Sequence, residues 1–274
     1  MSGDSYDDDI DGDFDDEATD DEATDDDGDY REATIRERDP IPNDVAEEIL
    51  SEGEIEVLGQ MPWSSNATLL CDVRHGDHFV QAIYKPHRGE RPLWDFPDGL
   101  FRREAACYEL AKAIGWDLVP PTVVVDGPVG PGSVQLFIPC DFNEHYLTLN
   151  ENDTYRPVFE QLVAFDMVAN STDRKAGHVL LDRQNHIWAI DNGLSFHVEF
   201  KLRTVLWDYA GEPIPEAIVE DLQALVAGDT LAEALGHLID DDEVEAAEHR
   251  ARILINEGRF PVDHTGRRWP WPLV

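Results

Sequence analysis

Residues 171–178 read Ser-Thr-Asp-Arg-Lys-Ala-Gly-His; two short apolar runs follow, and then Ile190-Asp-Asn-Gly193. Val179-Leu-Leu181 and Ile187-Trp-Ala-Ile190 are strand-like, and Asp182-Arg-Gln-Asn185 between them is turn chemistry. The stretch therefore predicts a β-hairpin. A hairpin returns the chain to its starting point, so Asp173 before it and Asp191 after it are expected to face one space. Two carboxylates placed this way suit phosphoryl transfer. One orients and deprotonates an attacking hydroxyl, and the other holds a metal on the phosphates of a nucleotide. Lys175, two residues after Asp173, can steady the transferred group. Each piece alone has an ordinary explanation, because Ser-Thr-Asp caps helices and turns and Asp-Asn-Gly makes hairpin turns. The spacing of the pieces is what constrains the fold.

The segment before this stretch carries Val158, Leu162, Phe165 and Ala169 at helical spacing over residues 157–169. Asp166 falls on the apolar side of that wheel, where a carboxylate needs a partner. The backbone of the 171–178 loop is the nearest candidate, so Asp166 reads as a brace for that loop. Further upstream, Phe79–Pro86 is an apolar strand ending in Lys85. Lysine is scarce here: Lys85, Lys112, Lys175 and Lys201 are the only four, against seventeen arginines. Pro86 fits a strand end or an edge strand. The helix predicted over Leu100–Ile114 places Glu104 among Leu100, Phe101, Cys107, Tyr108 and Ala111. An unpaired carboxylate on that face is costly, and Lys85 is its obvious partner. A lysine so held is what the α- and β-phosphates of ATP require.

Two further segments complete a nucleotide site. Strand-like Ile55–Leu58 and Leu69–Val73 flank a tip of small polar residues. Ser64, Ser65 and Asn66 in that tip can offer backbone and hydroxyl donors to phosphates. After a strand predicted over Val119–Val125, Gly132–Pro139 reads as a buried strand leaving into a connector. Gln135, Leu136, Phe137 and Ile138 are there expected to border an adenine that meets backbone donors and acceptors.

Charge sets limits on partners. Residues 1–39 hold nineteen acids and three arginines, a net of −16, with almost no large apolar side chains. Such composition predicts a disordered tail. Asp-Asp-Glu-Ala-Thr occurs twice within it, at 15–19 and 20–24. The whole chain carries −38, which argues against binding nucleic acid and against stable docking on anionic membranes. Lys201, Arg203 and Arg174 are the cations nearest the candidate site. Three separated cysteines give no disulfide or zinc pattern, and no run spans a membrane or opens the chain as a signal peptide, so a cytoplasmic setting is expected. Nothing here bears on oligomeric state.

Three C-terminal helices are predicted, over 215–226, 230–239 and from Asp241, a good N-cap, to about Asn256. Arg268-Trp-Pro-Trp-Pro-Leu273 reads as an extended apolar tail packed on them. The expected architecture is α+β and two-lobed, with the tail at 1–39, a β-rich N-lobe at 40–140 and a mainly helical C-lobe at 141–274.

This order of elements resembles the phosphatidylinositol 3-/4-kinase-like superfamily, in particular its small bacterial, Streptomyces-type kinase-like subgroup. Asp191-Asn-Gly-Leu-Ser-Phe196 resembles the metal-binding segment of type II phosphatidylinositol 4-kinases, and Val134–Ile138 their hinge strand. Tyr84-Lys-Pro86 with Glu104 resembles their lysine–glutamate pair. Arg91–Gly99 and Lys201–Trp207 look like marks of the bacterial subgroup. The resemblance covers about residues 52–260 and implies a protein-kinase-like fold and ATP-dependent transfer with Mg2+ or Mn2+. One departure stands out. Five residues after Asp173 the superfamily places a metal-binding Asn, and here the residue is His178, as in the bacterial subgroup. An imidazole favours Mn2+ or Zn2+ over Mg2+, or simply hydrogen-bonds. The expected function is a kinase with an unidentified hydroxyl acceptor, a protein or small molecule rather than a membrane lipid. The alternative is a nucleotide-binding pseudokinase acting as a regulatory module.

Overall fold

The computed structural model describes residues 35, 39–61 and 67–274. Helix α1 (Asn43–Glu52) precedes three antiparallel strands, β1 (Glu54–Gln60), β2 (Leu69–His75) and β3 (His78–Pro86). Helix α2 (Leu100–Ile114) follows, and then the hairpin of β4 (Thr122–Gly127) and β5 (Gly130–Leu136). The five strands form one sheet in the order β1-β2-β3-β5-β4. Beyond it come the single turn α3 (Tyr146–Leu149), helix α4 (Arg156–Ala169) and a small hairpin of β6 (Val179–Leu181) and β7 (Ile187–Ala189). Helices α5 (Glu216–Leu225), α6 (Thr230–Leu235) and α7 (Asp241–Glu257) close the order. The molecule is α+β, with a β-sheet N-terminal region and a helical C-terminal region.

Period-2 alternation sorts the sheet into two faces. Leu69, Cys71 and Val73 on β2, Val80, Ala82 and Tyr84 on β3, and Val134 and Leu136 on β5 turn one way. They bury a core with Ala46, Ile49 and Leu50 of α1. Lys85 alternates to the other face. Its strand is not an edge: β3 lies between β2 and β5, and Pro86 ends it against Gly132. Gly132 is needed for that fit, since a Cβ there would lie 2.5 Å from the Lys85 carbonyl oxygen and 2.6 Å from the Tyr84 ring. The expected strand at 119–125 begins only at Thr122, after Pro120 and Pro121.

Helix α2 has the predicted span. Its N-terminus is capped from a distance: the Glu90 carboxylate accepts from the backbone N–H groups of Gly99, Leu100 and Phe101 at 3.2, 3.0 and 2.7 Å. These are donors that the first turn cannot satisfy itself. Ala106, Cys107, Leu110 and Ala111 of α2 enter the larger core with α4, α5, α6 and α7, while the helix also touches β4 and β5. Thus α2 joins the sheet to the helical region. Arg103, on the same side of the helix as Ala106, Cys107 and Leu110, is 3% exposed. It donates to the Ser195 carbonyl at 2.8 Å and to Glu243 of α7 at 2.6 Å.

Other boundaries shift for local reasons. Helix α6 ends at Leu235 rather than 239, with Gly236 as its C-cap. The N-cap of α7 is Asp240 rather than Asp241, in a capping box with Glu243. The 268–273 tail docks by backbone rather than by its rings. The carbonyl of Leu273 accepts from Ala176 N–H at 2.7 Å and that of Arg268 from Trp207 Nε1 at 2.9 Å, while Trp271 is 87% exposed. Of the acidic segment at 1–39 predicted to be disordered, all but Ile35 and Asp39 lie outside the described residues. No helix of the described residues is long and apolar enough to cross a membrane.

Candidate active site

The hairpin of β6 and β7 brings its two flanking acids toward one another as its pattern requires. Asp182 organises the turn, accepting from Gln184 N–H and His186 N–H at 2.8 Å each and from Trp188 Nε1 at 2.9 Å. Asp191 leaves β7 with φ of 57°, a left-handed conformation uncommon for a residue with a Cβ. Its carboxylate turns back under the sheet and meets Lys85 Nζ at 2.8 Å.

Lys85 Nζ also pairs with Glu104 Oε1. Glu104 is 3% exposed, and its other oxygen accepts from Asn192 N–H at 2.9 Å. One carboxylate of α2 thereby holds both the lysine of β3 and the backbone just after Asp191. Gly193 leaves room for this, since a Cβ there would lie 3.2 Å from Glu104 Oε1. Burial works against the Lys85 ammonium, but the Asp191 and Glu104 carboxylates together hold its pKa above the ordinary lysine value. Reciprocally, the Lys85 ammonium holds the Asp191 carboxyl well below the usual carboxylate range.

Beneath this layer lies a second, fully buried one. Asp166 and Arg174 are 0% and 2% exposed. Asp166 Oδ1 accepts from Ser171 Oγ at 2.9 Å and from the Arg174 guanidinium at 3.0 Å. Thr204 Oγ1 donates to Asp166 Oδ2 at 3.1 Å. Arg174 also donates to the Ile190 carbonyl at 2.8 Å and to Asn192 Oδ1 at 2.6 Å. Asp166 is therefore a brace, but chiefly through side chains. Arg174, expected among the surface cations, is the inward latch that ties the 171–178 loop to both neighbours of Asp191. Sequence offers one faint sign of it: a buried Asp on a helix needs a cation, and Arg174 is the first arginine after that helix.

Asp173 and Lys175 stand above the latch, with Lys175 Nζ 3.2 Å from Asp173 Oδ2. Burial raises the Asp173 pKa above the ordinary value; the Lys175 and Arg203 charges pull it back, and that of Asp191 adds to the rise. His178 Nε2 lies 3.3 Å from Asp191 Oδ2, while its Nδ1 faces Lys175 N–H at 3.4 Å. That arrangement assigns the Nε2–H tautomer. Burial pushes the His178 pKa down to about 4, the nearby Asp191 charge opposing it, so the ring is neutral near pH 7.

Asp191 offers an open carboxylate to a divalent cation; His178 can join it through Nε2 only with the ring proton moved to Nδ1, which gives up the contact with Lys175 N–H. The Asp191 side chain is 55% exposed. Asp173, His178 and Asp191 do not bring three donor atoms within 4.8 Å of one another; among the described residues the one such group is Glu48, Glu52 and His75, on α1 and β2. A carboxylate with an imidazole, completed by phosphate oxygens of a nucleotide, fits Mg2+ or Mn2+, and the nitrogen favours Mn2+.

The nucleotide segments divide. Ser64, Ser65 and Asn66 lie outside the described residues, although β1 and β2 flank them and Met61 N–H closes on the Thr68 carbonyl at 2.8 Å. At the hinge, Gln135 spends its side-chain amide on Thr122 Oγ1 at 2.8 Å. Leu136 N–H donates to the Pro121 carbonyl and Phe137 N–H to the Gln81 carbonyl. Ile138 N–H has no partner among the described residues, so the free backbone donors of this segment begin at 138 rather than 135. The sheet had already claimed those of 136 and 137.

No family model matches the sequence. A Mycobacterium tuberculosis protein, "Protein Rv2133c", is 36% identical over 260 residues, covering 82% of this chain and 94% of that one. Among solved structures, the Golgi casein kinase with Mn/ADP bound superposes with a TM-score of 0.50 at 15% identity, over 84% of this chain and 80% of that chain. The structure of hydra Fam20 with sugar gives 0.51 at 12% identity, over 77% and 86%. At such identities these likenesses establish a kinase-like fold.

Proposed function

We propose that this chain, which belongs to the same protein family as Protein Rv2133c, is an ATP-dependent phosphotransferase acting on a hydroxyl acceptor. One observation carries the reading: Lys85, Glu104 and Asp191 converge from three separate elements, and the hairpin sets Asp173 and Lys175 beside them. Lys85, fixed by Glu104, is assigned to the α- and β-phosphates. Asp191 with His178 would hold Mg2+ or Mn2+, whose charge offsets that of the phosphates. The neighbour whose title names Mn/ADP supports a nucleotide with a divalent cation here. Asp173 accepts the proton of the attacking hydroxyl, and its raised pKa makes it a stronger base than an ordinary aspartate. Lys175, 3.2 Å from it, faces the transferred group. Ile138 and the connector after it are assigned to the adenine, and Ser64, Ser65 and Asn66 to the phosphates.

The finer grouping with phosphatidylinositol 3-/4-kinase-like proteins rests on the 191–196, 134–138 and 84–86 motifs. The lobes at 40–140 and 141–274 and the cytoplasmic setting belong to the same reading. A protein or small-molecule acceptor is favoured over a membrane lipid by the chain's charge of −38. The pseudokinase alternative has one observation in its favour, His178 against Asp191 at 3.3 Å where an oxygen ligand would be ordinary. The test is calorimetry of ATP with Mg2+ and with Mn2+, together with γ-phosphate transfer to cell extract and to the chain itself. Binding with transfer is expected. Binding without transfer to any acceptor would select the pseudokinase, and absence of binding would reject both.

A further inference from the structure

A cleft of about 820 Å³ opens between residues 94–97, 197–203 and 265–268. Lys201, Arg203, Arg267 and Arg268 line it, with Trp94 and Phe200 as apolar walls. It adjoins the loop that carries the catalytic aspartate. Arg203 N–H donates to the Ser171 carbonyl at 2.9 Å, and Arg174 N–H to the Arg203 carbonyl at 3.0 Å. The backbones on either side of Asp173 are thus bonded to the wall of the cleft.

Its charge is opposite to that of the molecule. The chain has fifty-nine acids against twenty-one lysines and arginines, yet the cleft gathers four cations against Asp95 and Glu199. Lys201 is engaged with Asp95 at 3.2 Å, and Arg268 stacks on Phe200 with its guanidinium 4.5 Å from the ring centre. Arg203 and Arg267 are exposed, and among the described residues neither forms a close ion pair or hydrogen bond with a carboxylate, although the Arg203 charge reaches Asp173. In so acidic a chain, two unpaired guanidinium groups beside a catalytic carboxylate suit an anionic occupant.

We propose, resting on the phosphotransferase reading above, that this cleft receives the chain's own acidic N-terminal segment and that Thr19 and Thr24 are phosphoryl acceptors. Both threonines end an Asp-Asp-Glu-Ala-Thr repeat and are followed directly by further acids, so either hydroxyl arrives with carboxylates on both sides for Arg203 and Arg267. Length permits it. From Thr24 to Asp39 the chain can extend roughly 50 Å at ~3.3–3.6 Å per residue, about three times the radius of gyration of a domain of this size. The threonine Oγ1 attacks the γ-phosphorus of ATP, the bond from phosphorus to the β–γ bridging oxygen breaks, and ADP leaves. The hydroxyl proton passes to the Asp173 carboxylate and then to solvent. An anionic membrane would meet the same four cations, but it would also meet the remaining negative charge of the molecule.

The test uses the full chain with γ-labelled ATP and Mn2+, with phosphosites mapped by mass spectrometry and ATP affinity measured separately. Label is expected on Thr19 and Thr24. Its rate per molecule should be independent of protein concentration, as an intramolecular transfer requires. Changing Asp15, Asp16, Asp20 and Asp21 to Asn retains both hydroxyls and should slow labelling about tenfold or more; Arg267→Glu should act in the same direction. A chain that binds ATP yet leaves the two threonines unlabelled, or labels the neutralised segment as fast as the acidic one, overturns the proposal and spares the phosphotransferase reading. Label found only in phosphatidylcholine–phosphatidylinositol vesicles added to the reaction would also overturn it, in favour of a lipid-facing cleft. A chain that binds no ATP removes both readings.

Discussion

Replacing Asp166 with Asn should destabilise the protein by about 3–5 kcal/mol, the range for removing one partner of a buried ion pair. Asn is nearly isosteric, and its amide oxygen can still accept from one of Ser171 Oγ and Thr204 Oγ1 while the other hydroxyl turns to accept from the amide NH2, so packing is largely preserved. What is lost is the only carboxylate among the described residues bonded to Arg174, a guanidinium 2% exposed. The Ile190 carbonyl and Asn192 Oδ1 remain to it as dipoles rather than charges. For a folded region of this length the loss corresponds to a fall in Tm of roughly 6–20 °C. Urea denaturation of the metal-free, nucleotide-free protein, followed by tryptophan fluorescence, measures it directly. Arg174→Met alone should cost a similar amount by stranding Asp166. Asp166→Leu with Arg174→Met should cost less than the sum of the two single replacements, because the apolar pair leaves no uncompensated charge. A loss below about 1 kcal/mol for Asp166→Asn, the scale of an exposed pair, would refute the idea that Arg174 depends on this carboxylate.

Three further outcomes follow from the upper layer of the site. Lys85→Met should weaken ATP binding tenfold or more, about 1.4 kcal/mol, and equal calorimetric affinity in variant and wild type would remove Lys85 from the phosphate site. Asp173→Asn should retain ATP binding and lower transfer by about 10²–10⁴, the usual contribution of a general base, so a variant that transfers at the wild-type rate would exclude Asp173 from that role. His178 has a folded pKa of about 4 against an ordinary 6.5, so below pH 6.5 the unfolded chain binds a proton that the folded one does not. Its contribution to stability is therefore lost as pH falls from about 6.5 to 4, at most about 3 kcal/mol. His178→Asn should flatten that part of the metal-free stability profile and shift metal preference from Mn2+ toward Mg2+. An unchanged profile and an unchanged metal ratio would show the ring to be neither buried neutral nor a ligand.

The sequence by itself determined those features whose causes are local. Apolar spacing marked α2 to its observed ends and α4 to within one residue. The turn Asp182–Asn185 marked the hairpin, and the hairpin in turn implied that Asp173 and Asp191 share a space. Burial arithmetic on one helix wheel was enough to pair Glu104 with Lys85, because a carboxylate on an apolar face has few affordable alternatives. Tertiary structure alone decided the rest, since the deciding partners are far apart along the chain. Arg174 reads as a surface cation until Asp166, Ile190 and Asn192 are folded around it, and nothing along the chain marks Glu243, 140 residues away, as the partner of Arg103. Glu90 becomes a helix cap only when the loop after β3 crosses the start of α2. The cations of the cleft come from residues 201–203 and 267–268, two segments with no shared pattern. Periodicity records which side of an element is buried. It does not record which buried or exposed side of another element will lie against it, and in this protein the site's charge balance depends on those meetings.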